Sequence, residues 1–251
     1  MTGFGSSVDP MTTYVLVPGF WLGSWAWQEV ASAMRAAGHT VHPLTLTGLA
    51  ERSHLASPVL TTGTHIDDIT NLLAFEDLRD VVLVGHSGAG AAVTGAADRA
   101  AERIARVVFL ESGPVPDGAA QIDLTGRDDV ESGLVDGWRY PMRSWEEFTA
   151  AGVSLEGLGP RERALMAGRA TDQPLGTITQ QLSLSGAFEK LPKALISCSF
   201  PVDQVRGLIT SGHPLFASLS GPEWELHGLP TGHWPMLSRP ADLAALLGGI
   251  R

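Results

Sequence analysis

The sequence predicts an α/β protein: a mostly parallel sheet flanked by helices, with a small, mainly helical segment inserted. Three observations carry this. Apolar strand-like runs alternate with helical stretches along residues 13–112. The inner runs, DVVLVG at 80–85 and RVVFLES at 106–112, lack polar alternation, which marks strands covered on both faces. The alternation breaks between 113 and 190 and resumes at KALISCSF.

The elements follow in order. TYVLV (13–17) is a short β-rich run closed by Pro18-Gly19. SWAWQEVASAMRAAG (24–38) reads as a helix, with Ser24 as N-cap and Gly38 as its stop. TVHPLTL (40–46) is the next strand. THIDDITNLLAF (64–75) places apolar residues at 66, 69, 72 and 73 behind Thr64 as cap, a helix. The strand at 80–85 is followed by a small-residue helix, SGAGAAVTGAADRAAE (87–102), and the strand at 106–112. Residues 113–190 hold Gly, Pro, scattered Trp and two amphipathic stretches near 144–151 and 160–170, as expected of a cap over the sheet. Strands at 193–200 and 223–229 and a closing helix at 238–249 complete the chain. The expected organisation is a disordered lead-in at 1–11, a core at 12–112 and 191–251, and a cap at 113–190.

Composition narrows the function. The net charge of −10 leaves nothing to neutralise a phosphate backbone, so a nucleic-acid partner is not expected. No apolar stretch approaches the roughly 18 residues of a membrane span. The first ten residues lack the charged and apolar regions of a signal peptide. The single cysteine, Cys198, excludes an internal disulfide and fits a reducing, cytoplasmic setting. It lies in an apolar run and reads as a small core residue. A monomer or homodimer acting on a small molecule, with no cofactor, is the expectation.

The chemistry centres on Gly85-His86-Ser87-Gly88-Ala89, between VVLV and a small-residue helix. Gly-x-Ser-x-Gly at a strand-to-helix turn holds a serine on a sharp bend, and alanine is small enough for the last position. A phosphate-cradling glycine turn is the competing reading. The spacing is not G-x-G-x-x-G, and no Lys-Ser/Thr follows Gly90. A serine nucleophile needs a base and an anion hole. The chain order of this architecture puts the acid between serine and histidine and the histidine near the C-terminus. Of eight histidines, His227 and His233 fall there, and His233 lies in the Gly/Pro-punctuated loop LPTGHWPMLSRP. No histidine pair has metal-ligand spacing. The anion-hole amides are assigned to Gly88 and Phe20, with Gly19 turning the loop.

VLVPGFWLGSWAWQEV, PLTLTGLAERSHL, THIDDITNLL, VVLVGHSGAG and GHWPMLSRPADLAALL together resemble α/β-hydrolases. The branch is that of the plant methyl-ester esterases, the salicylate-binding esterase, the hydroxynitrile lyases and their bacterial relatives. The resemblance spans about 12–112 and 190–250. It implies Ser87 as nucleophile and His233 as base, at the carboxyl edge of the sheet. It also implies an acid just after KALISC. There the chain reads Ser-Phe-Pro-Val-Asp, so Asp203 arrives late and Glu111 is a rival. We assign Asp203, with Pro201 bringing it back towards the histidine. Trp234 stands where hydroxynitrile lyases carry lysine, which argues against cyanohydrin chemistry. Gly88 stands where relatives often carry an aromatic, which suggests a roomier pocket. Gly19, Trp21, Trp138, Trp145 and Trp234 are its expected walls. The reading is a serine hydrolase of an ester, thioester or lactone with an apolar or aromatic part. The alternatives are carbon–carbon cleavage or cyclisation on the same residues, or a non-catalytic binding protein.

Overall fold

The computed structural model describes residues 11–213 and 216–250. Residues 1–10 of the expected lead-in at 1–11 lie outside them. Eight strands and eleven α-helices are described. The strands are β1 (Thr13–Val17), β2 (Thr40–Pro43), β3 (Val81–His86), β4 (Ile104–Leu110), β5 (Arg139–Tyr140), β6 (Gln173–Pro174), β7 (Lys193–Ser197) and β8 (Trp224–Gly228). Helices α1 (Gln28–Ala36), α2 (Thr62–Phe75) and α3 (Gly90–Arg99) cross between the early strands. Between β4 and β7 lie α4 (Gln121–Thr125), α5 (Arg127–Ser132), α6 (Trp145–Ala150), α7 (Pro160–Arg169) and α8 (Gly176–Thr179). Helix α9 (Val202–Thr210) follows β7, and α10 (Pro235–Ser238) and α11 (Pro240–Gly249) close the chain.

Six strands form one parallel sheet in the order β2-β1-β3-β4-β7-β8. Its continuous apolar runs follow from two-sided burial. Tyr14, Leu16, Val82, Val84, Val108, Leu110, Ala194 and Ile196 belong to one core cluster, with residues of α1 and α11. Their neighbours Val15, Val17, Val81, Leu83, Val107, Phe109 and Leu195 belong to the other, with residues of α2 and α3. Alternate side chains of a strand leave on opposite faces, so both positions must be apolar. β5 and β6 make a separate two-stranded antiparallel ribbon in the inserted segment.

Local expectations shift at the helix starts. Ser24 opens a 3₁₀ turn (Ser24–Trp27) and makes no capping bond; its amide instead donates to Thr45 Oγ1 at 2.8 Å. Helix α2 begins earlier than expected: Thr64 is its third residue and accepts the Thr61 amide at 3.3 Å, so Thr61 is the capping position. Gly38, at φ +94°, ends its helix as expected. Among the described residues no helix is long and apolar enough to cross a membrane.

Candidate active site

The site begins with strand register. His86 and Leu110 are paired across β3 and β4, so Ser87 and Glu111 each stand one residue past the same rung. Both leave their strand in the left-handed region, each at φ 49°. Non-glycine residues rarely adopt this conformation, and each such position costs about 1–3 kcal/mol that the surrounding fold must offset. The result is two side chains lifted from neighbouring strand ends. The turn at Ser87 is braced from beneath: Ser112 Oγ donates to the Ser87 carbonyl at 2.5 Å.

His233 arrives from the loop after β8. Its amide donates to the Ser154 carbonyl at 2.9 Å, and the Gly232 amide donates to the Glu156 carbonyl at 3.0 Å. The inserted segment thus holds the loop on one side. On the other, His86 Nε2–H donates to the His233 carbonyl at 2.8 Å. His86 is buried, and burial together with the nearby His233 pushes its pKa down to about 3, so it stays neutral. His233 Nε2 then lies 2.7 Å from Ser87 Oγ, and its Nδ1 lies 3.2 Å from Glu111 Oε2. In the resting state Ser87 donates to Nε2, and Nδ1–H donates to the carboxylate.

Glu111 is the carboxylate that meets His233. Its side chain is only 6% exposed. Oε1 accepts the Cys198 amide at 2.5 Å and the Ser199 amide at 3.0 Å, and Oε2 accepts Ser199 Oγ–H at 2.5 Å. Burial would raise its pKa, but His233 and these donors outweigh burial and hold it at about 2. The carboxylate is therefore ionised at neutral pH. Burial pushes the Cys198 thiol up, out of the range of a reactive thiolate.

Asp203 does not meet His233, and the sequence assignment is corrected here. Pro201 fixes φ at −56° and caps a new helix, so the chain after β7 turns into α9 at once. Asp203 falls in the first turn of that helix, with its side chain 95% exposed and 3.9 Å from Arg206. An acidic residue there suits the helix dipole. The loop after β7 supplies donors to Glu111 instead of an acid.

The cavity above Ser87 is about 550 Å³, room for a drug-sized molecule. Trp21 and Trp234 line it, as does Phe148. Trp138 and Trp145 do not: Trp145 stands one ring behind, 5.9 Å from Phe148 and 6.3 Å from Trp234. Gly19 does not line it either. A Cβ there would stand 2.8 Å from His86 Nδ1, so Gly19 packs the loop against the elbow. The Trp21 amide is occupied by Gln173 Oε1 at 3.3 Å, whereas the Phe20 amide makes no such bond among the described residues. Gly88 needs a second correction. A Cβ at Gly88 would lie 2.5 Å from Phe20 Cε1 and 2.6 Å from its Cγ. The Phe20 ring already fills the space that the missing side chain vacates, so Gly88 adds no room.

Sequence reasoning missed Ser199 and His86, and also Tyr140 and Arg143, which line the cavity. No pattern marks Ser199. His86 sits inside the serine motif, where only the flanking residues carry a signal.

The alpha/beta hydrolase family model matches residues 14–246. The chain belongs to this family. Over 247 residues this α/β-hydrolase is 30% identical to the carbendazim hydrolyzing esterase of Nocardioides sp. (strain SG-4G), covering 96% of this chain and all of that one. It is 26% identical to methylesterase 7 of Arabidopsis thaliana, covering 93% and 94% of the two chains. Two solved structures are similar in fold. An extracellular α/β-hydrolase from a Paenibacillus species has a TM-score of 0.75 at 20% identity, covering 95% of this chain and 98% of that one. An Arabidopsis methylesterase has a TM-score of 0.69 at 22% identity, covering 94% and 97%.

Three predictions follow from this geometry. Glu111→Gln places an amide against Nδ1–H and should lower kcat by about 10³- to 10⁴-fold, as in the serine-protease precedent. Asp203→Asn should change it less than 2-fold, about the scale of a surface substitution; steady-state kinetics on both variants checks this. A carboxylate whose pKa is depressed on folding stabilises the protein above its unfolded value of 4.5 and loses that contribution as pH falls towards 2. The denaturant-unfolding free energies of wild type and Glu111→Gln should therefore differ most above about pH 5 and converge near pH 2. Gly88→Tyr should destabilise the protein by about 1–3 kcal/mol through collision with Phe20. Gly88→Tyr/Phe20→Ala should recover part of that loss in the same measurement.

Proposed function

We propose that this α/β-hydrolase cleaves a carboxylic ester, thioester or lactone of a small apolar or aromatic molecule through an acyl-enzyme on Ser87. The observation that carries this is the 2.7 Å contact of Ser87 Oγ with His233 Nε2, with Glu111 behind Nδ1, at the floor of a cavity with aromatic walls. The esterase relatives support the reaction class.

Ser87 Oγ attacks the substrate carbonyl while His233 Nε2 takes its proton. The negative charge that develops on the carbonyl oxygen meets the Phe20 and Gly88 amides. A single oxyanion-hole donor is worth about 10²- to 10³-fold in kcat. His233 returns the proton to the departing alcohol or thiol. Water then attacks the acyl-enzyme, His233 again takes a proton, and Ser87 recovers it as the acid leaves. Glu111 stays ionised throughout, holding the ring's tautomer and balancing the imidazolium. The Gly19–Phe20 loop and the elbow pack tightly, so both amides are positioned before substrate arrives.

A fluorophosphonate probe should label Ser87 alone. Ser87→Ala should abolish labelling and lower kcat/KM on aryl esters by about 10³-fold or more while the protein stays folded. Turnover near the wild-type rate in Ser87→Ala would contradict the mechanism.

A further inference from the structure

One charged cluster in the cavity has no part in the acyl-transfer chemistry. Arg143 is the only lysine or arginine among the described residues that line the cavity, and its side chain is 18% exposed. Its Nε–H donates to the Tyr140 hydroxyl at 2.8 Å, and its Nη2 stands 3.4 Å from Asp129 Oδ2. A guanidinium carries five N–H donors, so these two contacts leave Nη1 and part of Nη2 uncommitted. The Tyr140 oxygen accepts from Arg143, and its own O–H proton has no acceptor among the described residues. Tyr140 and Asp129 also hold the guanidinium firmly charged against the pull of burial.

The surroundings say what these donors face. The Phe20 ring, packed on Gly88, lies 6.5 Å from the Tyr140 ring, and the Arg143 guanidinium carbon lies 5.9 Å beyond it. A second path of rings runs from His233 through Trp234 (5.0 Å), Phe148 (5.1 Å) and Trp21 (5.6 Å) to Tyr140 (5.5 Å). Aromatic walls thus lead from the serine and its base to one group of hydrogen-bond donors. Such walls favour a flat apolar body, and the donors ask for an acceptor at its far end. Charge selects the kind of acceptor. Asp129 already balances Arg143, Glu111 is ionised within the same cavity, and the chain carries −10 overall, so an anion is disfavoured.

We propose that Arg143 and Tyr140 form a recognition subsite for a neutral hydrogen-bond acceptor, such as a ring nitrogen or carbonyl oxygen, on the distal part of an aromatic ester. This rests on the esterase reading, and it makes Arg143 a specificity residue of that site.

Methyl quinoline-6-carboxylate and methyl 2-naphthoate test it, since they differ only by one distal ring nitrogen. Binding is measured by calorimetry on full-length Ser87→Ala protein, so the answer does not depend on turnover. The quinoline ester should bind about 10-fold more tightly, the gap expected of a hydrogen bond to a charged donor. In Ser87→Ala/Arg143→Met the gap should collapse to under about 2-fold. In Ser87→Ala/Arg143→Lys, which keeps a charge and a donor, part of it should remain. Equal affinities in the Ser87→Ala protein, or a gap that survives Arg143→Met, would overturn the subsite. Tightest binding of the monomethyl ester of naphthalene-2,6-dicarboxylic acid would overturn it too, by showing an anion site. A wild-type protein that discriminates between the esters but neither hydrolyses them nor reacts with a fluorophosphonate would strike the catalytic reading and leave the subsite standing.

Discussion

The site depends on two adjacent strand ends that both turn left-handed. β3 and β4 run side by side in register to the His86–Leu110 rung, and the next residue on each, Ser87 and Glu111, takes φ 49°. Parallel strands lie about 4.8 Å apart, so two residues that leave them in the same way deliver their side chains to one place. This backbone is strained, and the apolar sheet beneath it makes the strain affordable. Valine and leucine fill both faces below, and the turn is tied down by Ser112.

A buried carboxylate beside a histidine is stable only if its remaining lone pairs are satisfied. Here the loop after β7 satisfies them, with two amides and the Ser199 hydroxyl. That loop therefore works as a donor clamp. His233 is fixed from two directions, by the inserted segment through Ser154 and by His86 through its carbonyl. The inserted segment and the His233 loop are thus tied into one mechanical unit. A change in the insertion that moved Ser154 or Glu156 would be felt at the imidazole.

Much of this was legible in the sequence. The unbroken apolar runs gave the parallel sheet, because two-sided burial leaves a direct mark on composition. The meeting of Ser87 with His233 was legible because their positions follow from chain order and turn chemistry. The acid was not. Glu111 and Asp203 both fit the order, and the choice turned on which way a backbone bends after a strand. Pro201 was read as shortening a loop, whereas it starts a helix. Gly88 failed for a related reason: an absent side chain implies space only if no other residue fills it, and Phe20 is 68 positions away in the chain. Arg143 and Tyr140 carry no motif. Only the fold brings them onto the wall of the cavity that holds Ser87.

The central claim is that the His233 Nδ1 proton is held by Glu111. Proton NMR in water tests it most directly, because an imidazole N–H bonded to a carboxylate resonates far downfield and exchanges slowly. The wild-type protein and Asp203→Asn should both show this resonance, and Glu111→Gln should lack it. A signal that persists in Glu111→Gln and disappears in Asp203→Asn would contradict the account.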